Sequence, residues 1–297
     1  MDNHKPLTFA LFGNTHQPRK SSSVTRLLDC LHSHGARVIV DRELHALLSA
    51  EYGDAVAGEE VFDGDEFSAD FAVSMGGDGT FLKTAVRVGT KEIPIIGINT
   101  GRLGFLADVL PGEIGEAISA VYDGSYEIKE HSAIQISTDG EPIESCRYAL
   151  NDIAVLKRDE AAMITIRTCV DGEYLVTYQA DGLIVCTPTG STAYSLSNGG
   201  PIIVPQTGSL CLTPVAPHSL SLRPIVVSGD SCITLDVESR SHNFLAAIDG
   251  RSVTLTEGTT VTISKAPFTT RIVKRGGQRY FASLREKMMW GADARKE

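Results

Sequence analysis

Apolar residues in the first third of the chain fall in short continuous runs, at residues 7–12 (LTFALF), 37–41 (RVIVD), 70–75 (DFAVSM) and 93–98 (IPIIGI). Between these runs the period changes. In residues 21–36 a serine cluster offers an N-cap, and Val24, Leu27, Leu28 and Leu31 recur on one helix face. Short apolar strands alternating with amphipathic helices predict a parallel sheet covered by helices. Residues 51–65, acidic and glycine-containing, read as a loop or poorly ordered excursion, and residues 112–122 as a helix that closes this half.

After about residue 125 the pattern becomes one of alternating strands joined by turn dipeptides. Asp139-Gly140, Asp171-Gly172 and Asp249-Gly250 flank β-rich segments, and residues 163–170 with 174–179 predict a hairpin. The last strand-like run is 259–264; in residues 279–290, Phe281, Leu284 and Met288 return to helical spacing. The pattern therefore predicts an α/β N-terminal domain with a Rossmann-like parallel sheet over residues 1–126. A β-rich, sandwich-like domain follows over 127–267, and then a tail, 268–297, whose helix needs an apolar surface that the α/β half can supply.

With 297 residues, 42% of them hydrophobic and 22% charged, the chain can bury one large core or two ordinary ones. No apolar run approaches the roughly 20 residues of a membrane helix. The opening MDNHK lacks the basic-then-apolar order of a signal peptide, so the expected location is cytoplasmic. The six cysteines are scattered, with no Cys-x-x-Cys pair, which points to neither a zinc cluster nor a disulfide framework. A formal net charge of -10 argues against nucleic acid or an anionic membrane as partner. An anionic small substrate must then meet locally placed positive charge or a metal.

Candidate chemistry lies in three blocks. The first, GGDGT at residues 76–80, follows a strand and opens a helix. Backbone N–H groups at such a turn, with side chains missing, let a phosphate chain come close. It is neither a Walker A loop nor a Gly-x-Gly-x-x-Gly fingerprint. The carboxylate of Asp78 suits phosphoryl transfer, either as a base for an attacking hydroxyl or as a metal ligand. Taken alone, the turn fits equally well a Gly-rich loop in which Asp78 caps the next helix. A second Gly-rich turn, GINTGRLGF at 97–105, leaves the same sheet edge, where Arg102 offers positive charge. The third block, DGLIVCTPTGSTAY at 181–194, is a strand running into hydroxyls and one tyrosine, a setting suited to a ribose and a base. Its individual Ser and Thr residues read first as an ordinary loop. Lys83, Arg223 and Arg251 read either as phosphate partners or as helix-face and turn cations.

Together with ALNDIAVLK at 149–157, DGLIVCTPTGSTAYSLSNGGPI at 181–202 and PHSLSLRPIV at 217–226, these blocks resemble the NAD kinase family, in the family's order over most of the chain. The resemblance implies an N-terminal α/β domain, a C-terminal β-rich domain, an active site in the cleft between them, and a tail returning to the first domain. It implies transfer of the γ-phosphoryl group of ATP to the 2'-hydroxyl of the adenosine ribose of NAD+, with a divalent metal, Mg2+, accompanying ATP, in a homodimer or homotetramer. Position by position, it makes Asp78 the catalytic base and turns Gly77, Gly79 and Thr80 toward donor phosphates. Asn151 and Asp152 would hold the adenosine part, and Thr192, Ala193 and Tyr194 its adenine-side wall. Asp181 becomes a further dinucleotide contact, and His218 a histidine near the reacting groups or, equally, one satisfied within a strand-edge loop. The alternatives are another GGDG-type kinase, such as a lipid kinase, and a non-catalytic dinucleotide-binding regulator.

Overall fold

The computed structural model describes residues 6–13, 22–52, 58–101, 104–140, 142–143, 147–158, 162–276, 280–289 and 291. They fall into two units, one of Met1–Glu130 with Thr270–Glu297 and one of His131–Thr269. Arg102, Cys146, Arg279 and Trp290 lie outside the described residues. Among the described residues, no helix is long and apolar enough to cross a membrane.

In the first unit β1 (Thr8–Gly13), α1 (Ser22–Ser33), β2 (Arg37–Asp41), α2 (Arg42–Tyr52), β3 (Glu60–Phe62), β4 (Phe71–Gly76), α3 (Asp78–Val88), β5 (Ile95–Asn99) and α4 (Ile114–Tyr122) follow one another. The strands pair in parallel in the order β5-β4-β1-β2-β3. The chain therefore winds outward from β1 in one direction and then the other. The carboxyl ends of β1 and β4 border the switch point at which open α/β sheets bind ligands. Strands β4 and β5 are buried along their whole length, as a sheet covered on both faces requires. The four apolar residues foreseen on α1 are all buried, against Phe9 and Leu11 of β1 and Ile114 and Ile118 of α4.

One expectation fails in this unit. Residues 51–65 are not simply a loop: α2 runs to Tyr52, and Glu60–Phe62 adds a strand to β2. Of its three residues only Phe62 is buried, too little apolar pattern to mark a strand in sequence.

The chain then forms β6 (Tyr126–Thr138), β7 (Tyr148–Ala149), β8 (Asp152–Lys157), β9 (Ile164–Val170), β10 (Glu173–Ala180), β11 (Gly182–Cys186), the short helix α5 (Tyr194–Ser197), β12 (Ser209–Val215), β13 (Ile225–Ser228), β14 (Ile233–Glu238), β15 (Asn243–Ile248), β16 (Arg251–Thr256), β17 (Thr260–Arg275) and α6 (Tyr280–Met288). In the second unit β10, β9, β14 and β17 pair antiparallel, and a six-stranded antiparallel sheet runs β13-β12-β11-β8-β15-β16. Alternate residues of both sheets, among them Ile166, Leu235, Ile263, Val155, Leu183 and Phe244, form one shared core. Strand β11 is buried on both faces. Leu183 and Val185 enter that core, while Ile184 and Cys186 pack with Cys211 and Ile203 on the other side. The foreseen hairpin is β9–β10, turned by Asp171 and Gly172, both at positive φ, as a two-residue hairpin turn demands.

The strand expected at 259–264 continues to Arg275, because Ala266, Phe268, Thr270 and Ile272 keep alternate positions buried. Its final residues belong to the first unit, where Ile272 pairs in parallel with Ile95 of β5. Lys274 meets Asp108 at 2.5 Å, and Arg275 bridges Glu113 and Glu116 at the start of α4. In α6 only Leu284 is buried; Phe281, foreseen on its apolar face, remains exposed.

Candidate active site

Between β4 and α3 stands a single residue, Gly77, with φ -101° and ψ -169°, so the turn is as short as a strand-to-helix junction allows. Asp78 is the first residue of α3. Its carboxylate is held by three backbone N–H groups: Phe105 donates to Oδ2 at 2.7 Å, and Leu106 and Ala107 donate to Oδ1 at 3.0 and 3.1 Å. A carboxylate has about four lone-pair sites. The three N–H groups fill two on Oδ1 and one on Oδ2, and among the described residues nothing donates to the other site on Oδ2.

The glycines of the two turns divide into two kinds. A Cβ on Gly76 would lie 2.2 Å from Thr80 Oγ1, on Gly97 2.7 Å from the Ala107 Cα, and on Gly104 2.0 Å from Asp78 Oδ1. These three are required by the protein's own packing. Gly77 and Gly79 are not: a Cβ at either meets nothing described within 4 Å, and neither has a positive φ. They flank Asp78 where the first N–H groups of α3 have no intrahelical acceptor, so the freedom they leave is room for a ligand's close approach. Gly104→Ala is expected to displace the Asp78 carboxylate by about 1 Å and lower turnover about 10²-fold, measured as product formation by a variant whose melting temperature is checked in parallel.

In the second unit, a second carboxylate is seated in the same way. Asp249, in the β15–β16 turn, accepts from the N–H groups of Leu150, Asn151 and Asp152 at 2.8, 2.9 and 3.1 Å. In sequence Asp249 is only half of a turn dipeptide. Its positive φ (46°) was foreseeable from Asp-Gly; its reach to another strand's start was not. Asp152, buried beside it, has its carboxyl pushed up to about 7, first by burial and then by the Asp249 charge. Thr187 donates its N–H to the Asn151 carbonyl, and Gly190 is packed so closely that a Cβ would lie 2.0 Å from that carbonyl oxygen.

Most hydroxyls of the third block serve this fold. Thr187 donates to the Leu150 carbonyl, Ser191 to the Pro188 carbonyl, and Ser195 pairs with Thr213. Among the described residues Thr192 has only a long contact, 3.4 Å, to the Thr189 carbonyl, and Tyr194 is 40% exposed. Asn151, Asp152, Thr192, Ala193 and Tyr194 thus gather around the carboxyl end of β11, which pairs Cys186 with Asp152.

Asp181 and His218 do not join them. Asp181 precedes the opposite end of β11, five residues from Cys186 and so roughly 17 Å away along the strand. It forms an ion pair with Lys157 at 2.8 Å. His218 donates its N–H to the Gln179 carbonyl and lines a cavity of about 660 Å³ with Met163, Gln179, Arg240, His242 and Glu257. Two of the candidate phosphate cations are spent on the backbone: Arg251 donates to the carbonyls of Ile248 and Tyr148, and Arg223 to those of Leu220 and Leu222. Among the described residues no group of three or more His, Cys, Asp or Glu side chains could hold a metal ion. That donor set suits a metal carried in on substrate phosphates with one or two protein carboxylates at most.

A Rossmann-like sheet that offers a Gly-Gly-Asp-Gly turn at its switch point, joined in one chain to a β-sandwich with an exposed aromatic beside buried carboxyls, defines a nucleotide-dependent phosphotransferase. Residues 9–126 match the ATP-NAD kinase N-terminal domain and residues 150–275 the ATP-NAD kinase C-terminal domain. The chain belongs to the NAD kinase family, enzymes that phosphorylate NAD to NADP. It is 56% identical to the NAD kinase of Bacteroides fragilis over 97% of this chain and 100% of that one. To the NAD kinase of Porphyromonas gingivalis it is 42% identical, over 96% and 99%. An NAD kinase from Archaeoglobus fulgidus solved in complex with ATP superposes with a TM-score of 0.70 at 30% identity, covering 95% of this chain and 99% of that chain. Yeast NADH kinase complexed with NADH shares the fold, with a TM-score of 0.87 at 23% identity over 99% and 91%.

Proposed function

We propose that the chain transfers the γ-phosphoryl group of ATP to the 2'-hydroxyl of the adenosine ribose of NAD+, with Asp78 taking the hydroxyl proton. The observation that carries this reading is the pairing of Asp78 with Gly77 and Gly79. The carboxylate is fixed by three N–H donors yet keeps one lone pair, and it stands between two glycines that the fold itself does not need. A protonated ribose hydroxyl is a poor nucleophile, and a positioned base acts on the proton as the new P–O bond forms. Gly77, Gly79 and Thr80 face the donor's phosphates in this reading.

Asn151, Asp152, Thr192, Ala193 and Tyr194 receive the adenosine part. Their clustering at one end of β11, with the hydroxyls around them already satisfied by the fold, supports that assignment. Asp181 and His218 keep their dinucleotide roles on the family likeness alone. Mg2+ arriving on ATP would neutralise charge developing on its phosphates. A homodimer or homotetramer in the cytoplasm completes the proposal on the same family likeness.

The test is a coupled assay: purified protein with NAD+, ATP and Mg2+, and an NADP-specific dehydrogenase to report NADP+. NADP+ formation with ATP, accompanied by thermal stabilisation by NAD+ and by ATP separately, is the expected result. No NADP+ from NAD+ and ATP would overturn it, and NADP+ with polyphosphate alone or NADPH from NADH alone would move the reading to another donor or acceptor.

A further inference from the structure

A triphosphate carries more negative charge than one Mg2+ cancels, so a chain of net charge -10 that binds it beside the Asp78 carboxylate still calls for a cation there. Arg102 lies outside the described residues, and Lys83 sits on the exposed side of α3. Lys287, in α6, is placed differently. Its Nζ lies 5.0 Å from the ring centroid of Phe105, the residue whose N–H donates to Asp78 Oδ2.

Lys287 is half-buried, and among the described residues no carboxylate lies within ion-pair distance of it. Asp108, the carboxylate that pulls on it most, is already paired with Lys274 at 2.5 Å. A lysine withdrawn from water without a carboxylate partner is uncommon, because burial costs the charged form. Burial indeed pushes the Lys287 ammonium below the usual lysine value, against the opposing pull of Asp108 and Asp78. The ammonium lies over an aromatic ring, feels Lys274 as well as Asp108, Asp78 and Glu286, and among the described residues makes an ion pair with none of these carboxylates.

We propose that Lys287 contacts the donor's phosphates at the Gly76–Asp78 turn and stabilises the charge that builds on them during transfer. The proposal rests on the NAD kinase reading. It makes α6 part of the donor site. The Phe105 ring orients the ammonium through its face while the Phe105 N–H orients the base, so one residue positions both groups.

Lys287→Met is the test, with Lys287→Arg beside it. The methionine variant is expected to lose about 10²-fold in kcat/KM for ATP, with KM for NAD+ within twofold of the wild type. ATP should no longer raise its melting temperature, while NAD+ still does. Lys287→Arg should recover most of the loss. A methionine variant with kcat/KM for ATP within threefold of the wild type overturns the proposal, as does one that loses ATP and NAD+ affinity equally. Should the methionine variant fail to fold, lysine acylation of the wild type read by mass spectrometry decides: ATP should slow labelling of Lys287 about tenfold and NAD+ should not, and equal labelling with and without ATP overturns the role. A wild type that makes no NADP+ sinks the parent reading itself, whereas an active wild type with an indifferent Lys287 sinks only this one.

Discussion

Asp78→Asn is expected to bind NAD+ and to lose turnover by about 10²- to 10⁴-fold, the range for removing a positioned base. The structure adds a second consequence. The carboxylate accepts from Leu106 and Ala107 through Oδ1 and from Phe105 through Oδ2. An amide can keep its oxygen on the first pair only by turning its NH2 toward the Phe105 N–H, so one donor there goes unpaired. An unsatisfied donor costs about 1–3 kcal/mol, enough to lower the melting temperature by several degrees. The variant should therefore be both slower and less stable, and the two effects separate cleanly. NAD+-induced stabilisation measured from the variant's own melting temperature reports binding; NADP+ formation per folded molecule reports the base. Turnover within tenfold of the wild type would remove Asp78 from the proton transfer and leave it a purely structural acceptor.

The seating of Asp78 shows which parts of the site can be read from residues in order and which cannot. The strand, turn and helix around Asp78 follow from an apolar run, three glycines and a helical spacing, all local signals. The Asp-Gly turns at 171 and 249 follow as directly, because few residue pairs adopt positive φ at two successive positions. What the carboxylates reach is not local. Asp78 and Asp249 collect N–H groups 27 to 29 and 97 to 99 residues away in sequence, and no pattern near either aspartate announces those partners. The glycines make the same point. Gly76, Gly77, Gly79, Gly97 and Gly104 look alike on the page, yet three are packed against their neighbours and two are free. The motif therefore mixes residues held for folding with residues free for a ligand. The same distinction separates Asp152 from Asp181: both flank a strand of the same sheet, but the length of β11 puts them at opposite ends of it. Lys287 was unreadable for a third reason, since a lysine in the last turn of a tail helix carries no signal until the fold brings that helix to a ring.

The pair of buried carboxyls in the second unit carries the other large expected effect, a fall in stability as pH rises toward neutrality. Burial pushes the Asp249 carboxyl up as well, but its three N–H donors and the Arg251 charge pull it back, whereas no donor to the Asp152 carboxyl is seen among the described residues. The pair's shared proton therefore resides on Asp152, whose carboxyl is pushed up to about 7 in the folded protein from 3.8. Below pH 4 the folded and unfolded chains both hold this proton, and its contribution to stability is fully present. Between about pH 4 and 7 the unfolded chain gives the proton up and the folded chain keeps it, so stability declines by about 1.4 kcal/mol per pH unit. Above pH 7 the loss is complete, about 4 kcal/mol in all by the same linkage. Asp152→Asn fixes the neutral form. Its denaturant midpoint should change much less than that of the wild type between pH 5 and pH 8, and at pH 8 it should be the more stable protein. Asp249→Asn separates the two causes of the shift. It removes the neighbouring charge, so the pH window over which stability falls should narrow and the total loss shrink, but it leaves one of three backbone donors facing an NH2, so stability should drop by about 1–3 kcal/mol at every pH. Parallel slopes for the wild type and Asp152→Asn would place the buried proton elsewhere. On the proposed function, a ribose hydroxyl at Asp152 would meet a carboxyl that both donates and accepts below pH 7, and one that only accepts above it. The same titration should therefore be visible in the pH dependence of NAD+ affinity for the wild type and absent from it in Asp152→Asn.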